Sequence, residues 1–168
     1  MRVSRDNRGT SLVELVIAMA IAAVVISMIM FFINVAAKSF RKTSEEVNLQ
    51  MEAQTTVNQI SNLAMEAKAM EVLAAAGESR YIFHYNNNEF CTIIFTDGEK
   101  KLYQVSTTDL EQAKTATYNM QQNFLAEYVQ SLEISVNSTN QSVTIDLKLA
   151  LGKDEYQIKK TVKMRNAK

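Results

Sequence analysis

The 168-residue sequence has no proline and no tryptophan, one cysteine, one histidine and four glycines. A single cysteine excludes an intrachain disulfide. One histidine and one cysteine, His84 and Cys91, are fewer clustered ligands than a structural or catalytic metal site needs. Four glycines leave no Gly-rich phosphate loop. Neither sign of charge is in excess, with 18 basic and 18 acidic residues, so nothing draws the whole chain toward nucleic acid or an anionic surface. Nucleophilic catalysis would require His84 and Cys91 to meet. Cys91 alternates with Ile93 and Phe95 and reads as a buried apolar thiol. His84 is opposite in parity to Tyr81, Phe83 and Tyr85 and reads as a solvent-face residue. The chain therefore reads as a non-enzyme with no cofactor.

What the sequence does have is a long apolar run. Leu15 to Ala37 carries no charge, and only Ser27 and Asn34 in it are clearly polar. A helix crossing the hydrocarbon core needs roughly 20 apolar residues, so the run is long enough. Glu14 sits just inside its start, Arg2, Arg5 and Arg8 precede it, and Gly9 separates the arginines from the apolar part. A carboxylate in an apolar helix costs about 2.5–3.5 kcal/mol at mid-membrane and less near the interface. Such residues usually face a partner and carry a function.

These residues resemble the N-terminus of the type IV pilin and pseudopilin family. The family pattern is a short basic leader ending in Gly, four uncharged residues, a Glu, then about twenty apolar residues. Here these are Gly9, Thr10-Ser11-Leu12-Val13, Glu14, and Leu15 onward. The resemblance implies a leader over residues 1–9, with Arg2, Arg5 and Arg8 as its basic residues. It implies cleavage between Gly9 and Thr10 by a prepilin peptidase, methylation of the new Thr10 amine, and a transmembrane and assembly helix over 10–37. It further implies that Glu14 meets the N-terminal amine of a neighbouring subunit. The implied partners are other pilin or pseudopilin subunits, the peptidase, a membrane platform protein of the assembly machine, and membrane lipid. The implied location is the cytoplasmic membrane, crossed once, and then an extracytoplasmic filament. Removing residues 1–9 would leave 15 basic against 17 acidic residues.

Other readings compete at the same residues. Val35-Ala36-Ala37 before Lys38 could end a secretory signal, but a secretory core is about 7–15 residues long and Glu14 is foreign to one. The run could be a signal anchor for an independent ligand-binding ectodomain. Glu14 could simply reach back to the headgroups. Arg2, Arg5 and Arg8 face Lys38, Arg41 and Lys42 across the run, so the positive-inside rule gives no orientation.

The helix is expected to continue over 38–76, because no Gly or Pro occurs between Thr10 and Ala76. Val57, Ile60, Ala64, Ala67, Met70 and Ala74 recur at spacings of three and four, which makes one apolar stripe. Gly77 is the expected stop. Many major pilins carry a Gly and a Pro in the apolar half of this helix. Ala23 and Phe31 stand at those places here, which favours a straighter, pseudopilin-like helix.

From Tyr81 the period changes to two. Tyr81, Phe83 and Tyr85 alternate before Asn86-Asn87-Asn88, and Cys91, Ile93 and Phe95 alternate before Asp97-Gly98. Leu102 to Val105 returns. Residues 107–127 are polar and weakly helical, with Thr108 or Asp109 as N-cap. Leu132, Ile134 and Val136 alternate, then Val143 to Leu151, then Tyr156, Ile158, Val162 and Met164. This predicts an α+β fold, a long N-terminal helix packed on a C-terminal antiparallel sheet over 78–168. The tail Val162-Lys163-Met164-Arg165-Asn166 resembles that of minor pilins and J-type minor pseudopilins. Lys159, Lys163 and Arg165 share parity on the last strand, with Lys160 beside them. They could touch DNA phosphates, or be a solvated face or a lysine-guarded edge. The second reading is favoured, because no exposed aromatics are interleaved for base stacking.

Overall fold

A computed structural model describes residues 12–75, 77–115, 118 and 122–166. The chain divides into two units, Met1–Ser44 and Glu45–Lys168, and helix α1 (Leu12–Glu66) contributes to both. In the first unit every described residue is exposed. The helix there has no Gly or Pro to break it, and its two polar side chains turn back on their own backbone. Ser27 Oγ donates to the Ala23 carbonyl and Asn34 Nδ2 to the Met30 carbonyl, each at 2.8 Å. The Ser27 hydroxyl and one Asn34 N–H are therefore bonded without water, which eases their placement in hydrocarbon.

In the second unit α1 is amphipathic. Leu49, Ala53, Thr56, Val57, Ile60, Ser61 and Ala64 form its buried stripe, at helical spacings of three and four. The helix ends at Glu66, ten residues before the expected Ala76, and Ala69–Ala75 is strand β1 instead. The boundary of the expected 38–76 helical segment is corrected accordingly. No Gly or Pro stops the helix, and tertiary partners do so instead by satisfying carbonyls that would otherwise be orphaned. Ala67 N–H donates to Leu63 O at 3.1 Å and Arg165 N–H to Met65 O at 2.9 Å. The Asn166 side-chain amide donates to Glu66 O at 2.7 Å. Lys68 N–H then bonds His84 O at 2.7 Å and starts the chain into the sheet.

Strands β1, β2 (Glu78–His84), β3 (Phe90–Thr96), β4 (Lys101–Thr107) and β5 (Phe124–Ala126) form one antiparallel sheet in that order. Strands β6 (Val129–Asn137), β7 (Ser142–Leu151) and β8 (Asp154–Lys163) form a second. The expected single sheet is thus two. Alternation reports which face of a strand is buried and not which strand lies beside it. The change of sheet comes at Tyr128, held at φ 58, followed by a register shift between Val129 and Ser131. Gly77 sits at φ +82 in the β1–β2 turn, where a side chain would be strained.

One core joins helix and sheets. The first sheet supplies Tyr81, Phe83, Cys91, Ile93, Phe95 and Leu102, and the second supplies Leu132, Ile134, Val143, Ile145, Leu147 and Leu149. Tyr81 hydroxyl donates to the Leu132 carbonyl across this core at 2.7 Å. Tyr81→Phe removes this buried hydrogen bond, which costs about 1 kcal/mol. A urea unfolding midpoint equal to the parent's would show the bond adds nothing.

The other face of the first sheet is covered as well. Ile82, Ile94 and Tyr103 are fully buried there, together with Ala113 of helix α2 (Leu110–Thr115). Thr92 hydroxyl donates to Ala113 O at 3.1 Å. Of the two candidate caps of α2, Asp109 acts, its Oδ1 accepting Glu111 N–H at 3.0 Å. Tyr103 donates its hydroxyl to Glu99 Oε2 at 2.9 Å and stacks on Tyr118. Burial, this bond and the nearby negative charge of Glu99 push its ionisation up to about 12. A tyrosine whose folded value lies above its unfolded one adds stability that is full below the unfolded value. That stability is lost as pH rises through the folded one. The melting temperature is expected to fall as pH rises from about 10 to about 12, and Tyr103→Phe is expected to flatten that part of the profile. An unchanged slope in the variant would assign the alkaline loss to other groups.

Candidate assembly site

The first unit concentrates apolar surface with no cover inside the chain. Leu12 is 79% exposed, Phe31 and Phe32 72% each, and Met28 66%. Its most apolar window has mean hydropathy 2.9 and is 0% buried, so the helix is long and apolar enough to cross a membrane. Soluble monomers rarely leave such a patch uncovered.

Glu14 stands in the first turn of α1 and is exposed. Its position suits the helix, because a carboxylate near an N-terminus opposes the positive end of the helix dipole. Among the described residues it has no hydrogen-bond or ion-pair partner. Arg2, Arg5, Arg8, Gly9 and Thr10 lie outside the described residues.

The basic residues of the C-terminal strand are brought together only in part, Lys159 and Lys163 on one face of the sheet and Lys160 on the other. Register pairs Lys159 with Asp146 and Lys160 with Ile145, so successive side chains leave opposite faces of the sheet. Lys159 Nζ lies 3.8 Å from Asp146 Oδ2 on the outer face. Lys160 points inward and donates to Asn58 Oδ1 of α1 at 2.9 Å. Lys163 ends β8 opposite Ser142, and Arg165 lies beyond the strand with its N–H on α1. On the outer face Lys148 also pairs with Glu155 at 2.7 Å. The lysines are therefore split between two faces and interleaved with acids. An inward-pointing lysine on an edge strand is a device against strand-to-strand association.

His84 and Cys91 occupy adjacent strands on opposite faces, since His84 pairs with Phe90 and Cys91 with Phe83. They do not form a dyad. Cys91 is buried in the core and its thiol is pushed up by burial. His84 is half-buried rather than on an open solvent face. Its ring meets Phe90 edge-on at 5.0 Å, and its Nε2 lies 3.8 Å from Glu71 Oε2 without a hydrogen bond. Among the described residues no group of three or more His, Cys, Asp or Glu is placed to hold a metal.

The sequence reading missed a cavity of ≈ 660 Å³ between the last turn of α1 and the β2–β3 turn. Its lining comes from segments far apart in the chain, Leu63 to Asn166, so no local motif announces it.

Residues 4–30 match the family model for the prokaryotic N-terminal methylation motif. No curated protein and no solved structure matches the chain. The motif match supports the type IV pilin and pseudopilin family. Together with the N-terminal apolar helix it supports a subunit of pilin or pseudopilin type. A membrane-anchored chain fits the same two features.

Proposed function

We propose that this chain is a minor structural subunit of a type IV pilus or type II secretion-like filament. A prepilin peptidase cuts it between Gly9 and Thr10, and it assembles through residues 10–37. The observation that carries this reading is the methylation motif at residues 4–30, lying on a helix whose apolar side chains are exposed on every side. Before assembly the chain crosses the cytoplasmic membrane once, with its leader inside and residues 45–168 outside. Afterwards its apolar helix lies among those of its neighbours in an extracytoplasmic filament. In lipid the cost of the two polar side chains inside the run is lowered, because Ser27 and Asn34 bond to the helix's own carbonyls.

The minor assignment is supported by Ala23 and Phe31, where a helix-weakening Gly and Pro would otherwise stand, and by the tail. Arg165 and Asn166 cap the end of α1 in this chain, which gives the tail's resemblance to minor subunits a structural use. The test is the N-terminus of the mature membrane protein, read by sequencing or intact mass. A start at Thr10 with one added methyl supports the reading. An intact Met1 would favour a signal anchor instead, and a start at Lys38 a secreted domain.

A further inference from the structure

We propose that the cavity at the end of α1 binds an organic cation, a protonated primary amine on a short aliphatic stem. The cavity lies wholly within the second unit and holds ≈ 660 Å³, inside the range of about 300–1,000 Å³ usual for small-molecule sites. Leu63, Tyr85, Phe90 and the buried Cys91 give it apolar lining that suits an aliphatic stem. Glu66 and Glu89 bring two carboxylates to it, and no lysine or arginine lines it. The rest of its lining is neutral amide and hydroxyl, from asparagines, threonines and a serine. Among the described residues neither carboxylate is held in an ion pair.

The helix adds a third negative contribution. Its C-terminal end carries the equivalent of about half a negative charge, and α1 has no basic residue in its last turn. Its terminal carbonyls are bonded by neutral donors, the Arg165 backbone N–H and the Asn166 amide. Lys68 and Arg165 are close in the chain, but neither lines the cavity. Burial first, and then the neighbouring Cys91 and Glu66, hold the Tyr85 hydroxyl well above the ordinary tyrosine range, so it stands neutral beside the site. A neutral phenol beside the site also attracts an ammonium group through its ring. A phosphate or carboxylate ligand would meet repulsion from all three contributions, and a neutral alcohol would gain from none. The ammonium can come from a free amine or from a lysine side chain of a neighbouring subunit. The second source rests on the assembly reading, and the first does not.

The test uses the full chain in detergent micelles, with n-butylammonium as probe and the Asn86 and Asn166 side-chain amides followed by NMR. Saturable shifts are expected at concentrations on the order of millimolar, given so small a ligand. Isosteric n-butanol should bind roughly tenfold more weakly, and Glu66→Gln and Glu89→Gln should each weaken the amine about fivefold, because hydrogen bonds to charged groups are the stronger ones. Both variants should keep the parent's melting temperature, since each side chain is exposed. In extracted assemblies, carbodiimide coupling of Glu66 or Glu89 to a neighbour's lysine, competed by butylammonium, would assign the cation to a subunit. Saturable binding without such coupling would assign it to a free amine. Non-saturating shifts, equal binding of butanol, indifference to both substitutions, or calcium saturating the same amides in place of the amine would each overturn the proposal.

Discussion

Gly9→Val is expected to leave the chain in the membrane at its full length, with little or no product beginning at Thr10. The position falls inside the matched motif, residues 4–30. A peptide bond offered to a membrane peptidase must lie in a narrow cleft with its backbone extended. Glycine at the last leader position puts no side chain there. Valine adds a Cβ with two methyl groups and a stiff χ1, so it cannot fold its bulk away. A clash of about 2–3 kcal/mol in the transition state slows cleavage roughly 30- to 150-fold. The measurement is the ratio of precursor to mature mass in membrane fractions. Retention of the leader also keeps Thr10 in a peptide bond, so the amine of the proposed assembly contact never appears. A variant processed at the parent's rate would remove the Gly9–Thr10 assignment, whatever the fate of the rest of the chain.

Much of the fold is legible because it rests on uninterrupted periodicity. The charge-free run from Leu15 to Ala37 specifies a helix and its environment together. In the second sheet, Val143, Ile145, Leu147 and Leu149 alternate, and all four are buried. Turns are legible by composition, as at Asn86-Asn87-Asn88 between β2 and β3, where Asn88 sits at φ 59. The end of α1 was not. Met70 and Ala74 are four apart, and a spacing of four keeps two residues on one face in a helix and in a strand alike. They therefore could not distinguish a continued helix from β1. What decides is tertiary: Arg165 and Asn166, about a hundred residues away, take the last carbonyls.

Burial on both faces of β3 hid in the same way. Thr92 and Ile94 are as buried as Cys91 and Ile93, because α2 covers the side that alternation assigns to solvent. A six-residue helix in a polar stretch gives a weak signal of its own. The basic tail shows the opposite error of sequence counting. Six basic against two acidic residues over 153–168 suggest a patch, but pairing sets Lys159 against Asp146 and turns Lys160 onto Asn58. Charge counted along a chain becomes a surface only after strand register distributes it between faces.

Glu14→Ala is expected to leave the chain folded, membrane-bound and cleaved at Gly9, yet largely absent from filaments. Glu14 is exposed and belongs to the first unit, whereas the core residues Leu49 to Met164 belong to the second, so the sheets keep their packing. On the proposed reading, a mature Thr10 amine and Glu14 would both meet one membrane interface, within reach of water or headgroups. In a filament the apolar helices exclude water, and an amine buried without a counter-charge typically costs about 3–5 kcal/mol. Four residues make about one helical turn, so on the proposed reading a helix begun at the cut would carry the carboxylate of residue 14 on the same side as its own amine. It can reach that of a neighbour only when the two helices are staggered. Pairing thus selects an axial register as well as stabilising the contact. A loss of about 3 kcal/mol corresponds to roughly 150-fold less incorporation, measured as subunit in sheared or detergent-extracted filaments against subunit in membranes. Glu14→Asp keeps the charge on a shorter stem and should fall between Ala and parent. Normal incorporation of the Ala variant would make the carboxylate a surface group and remove Glu14 from assembly along the shaft. A subunit that starts a filament has no subunit ahead of it and no foreign amine to meet. Intact function of the Ala variant, with one copy per filament, would therefore assign this chain to the tip.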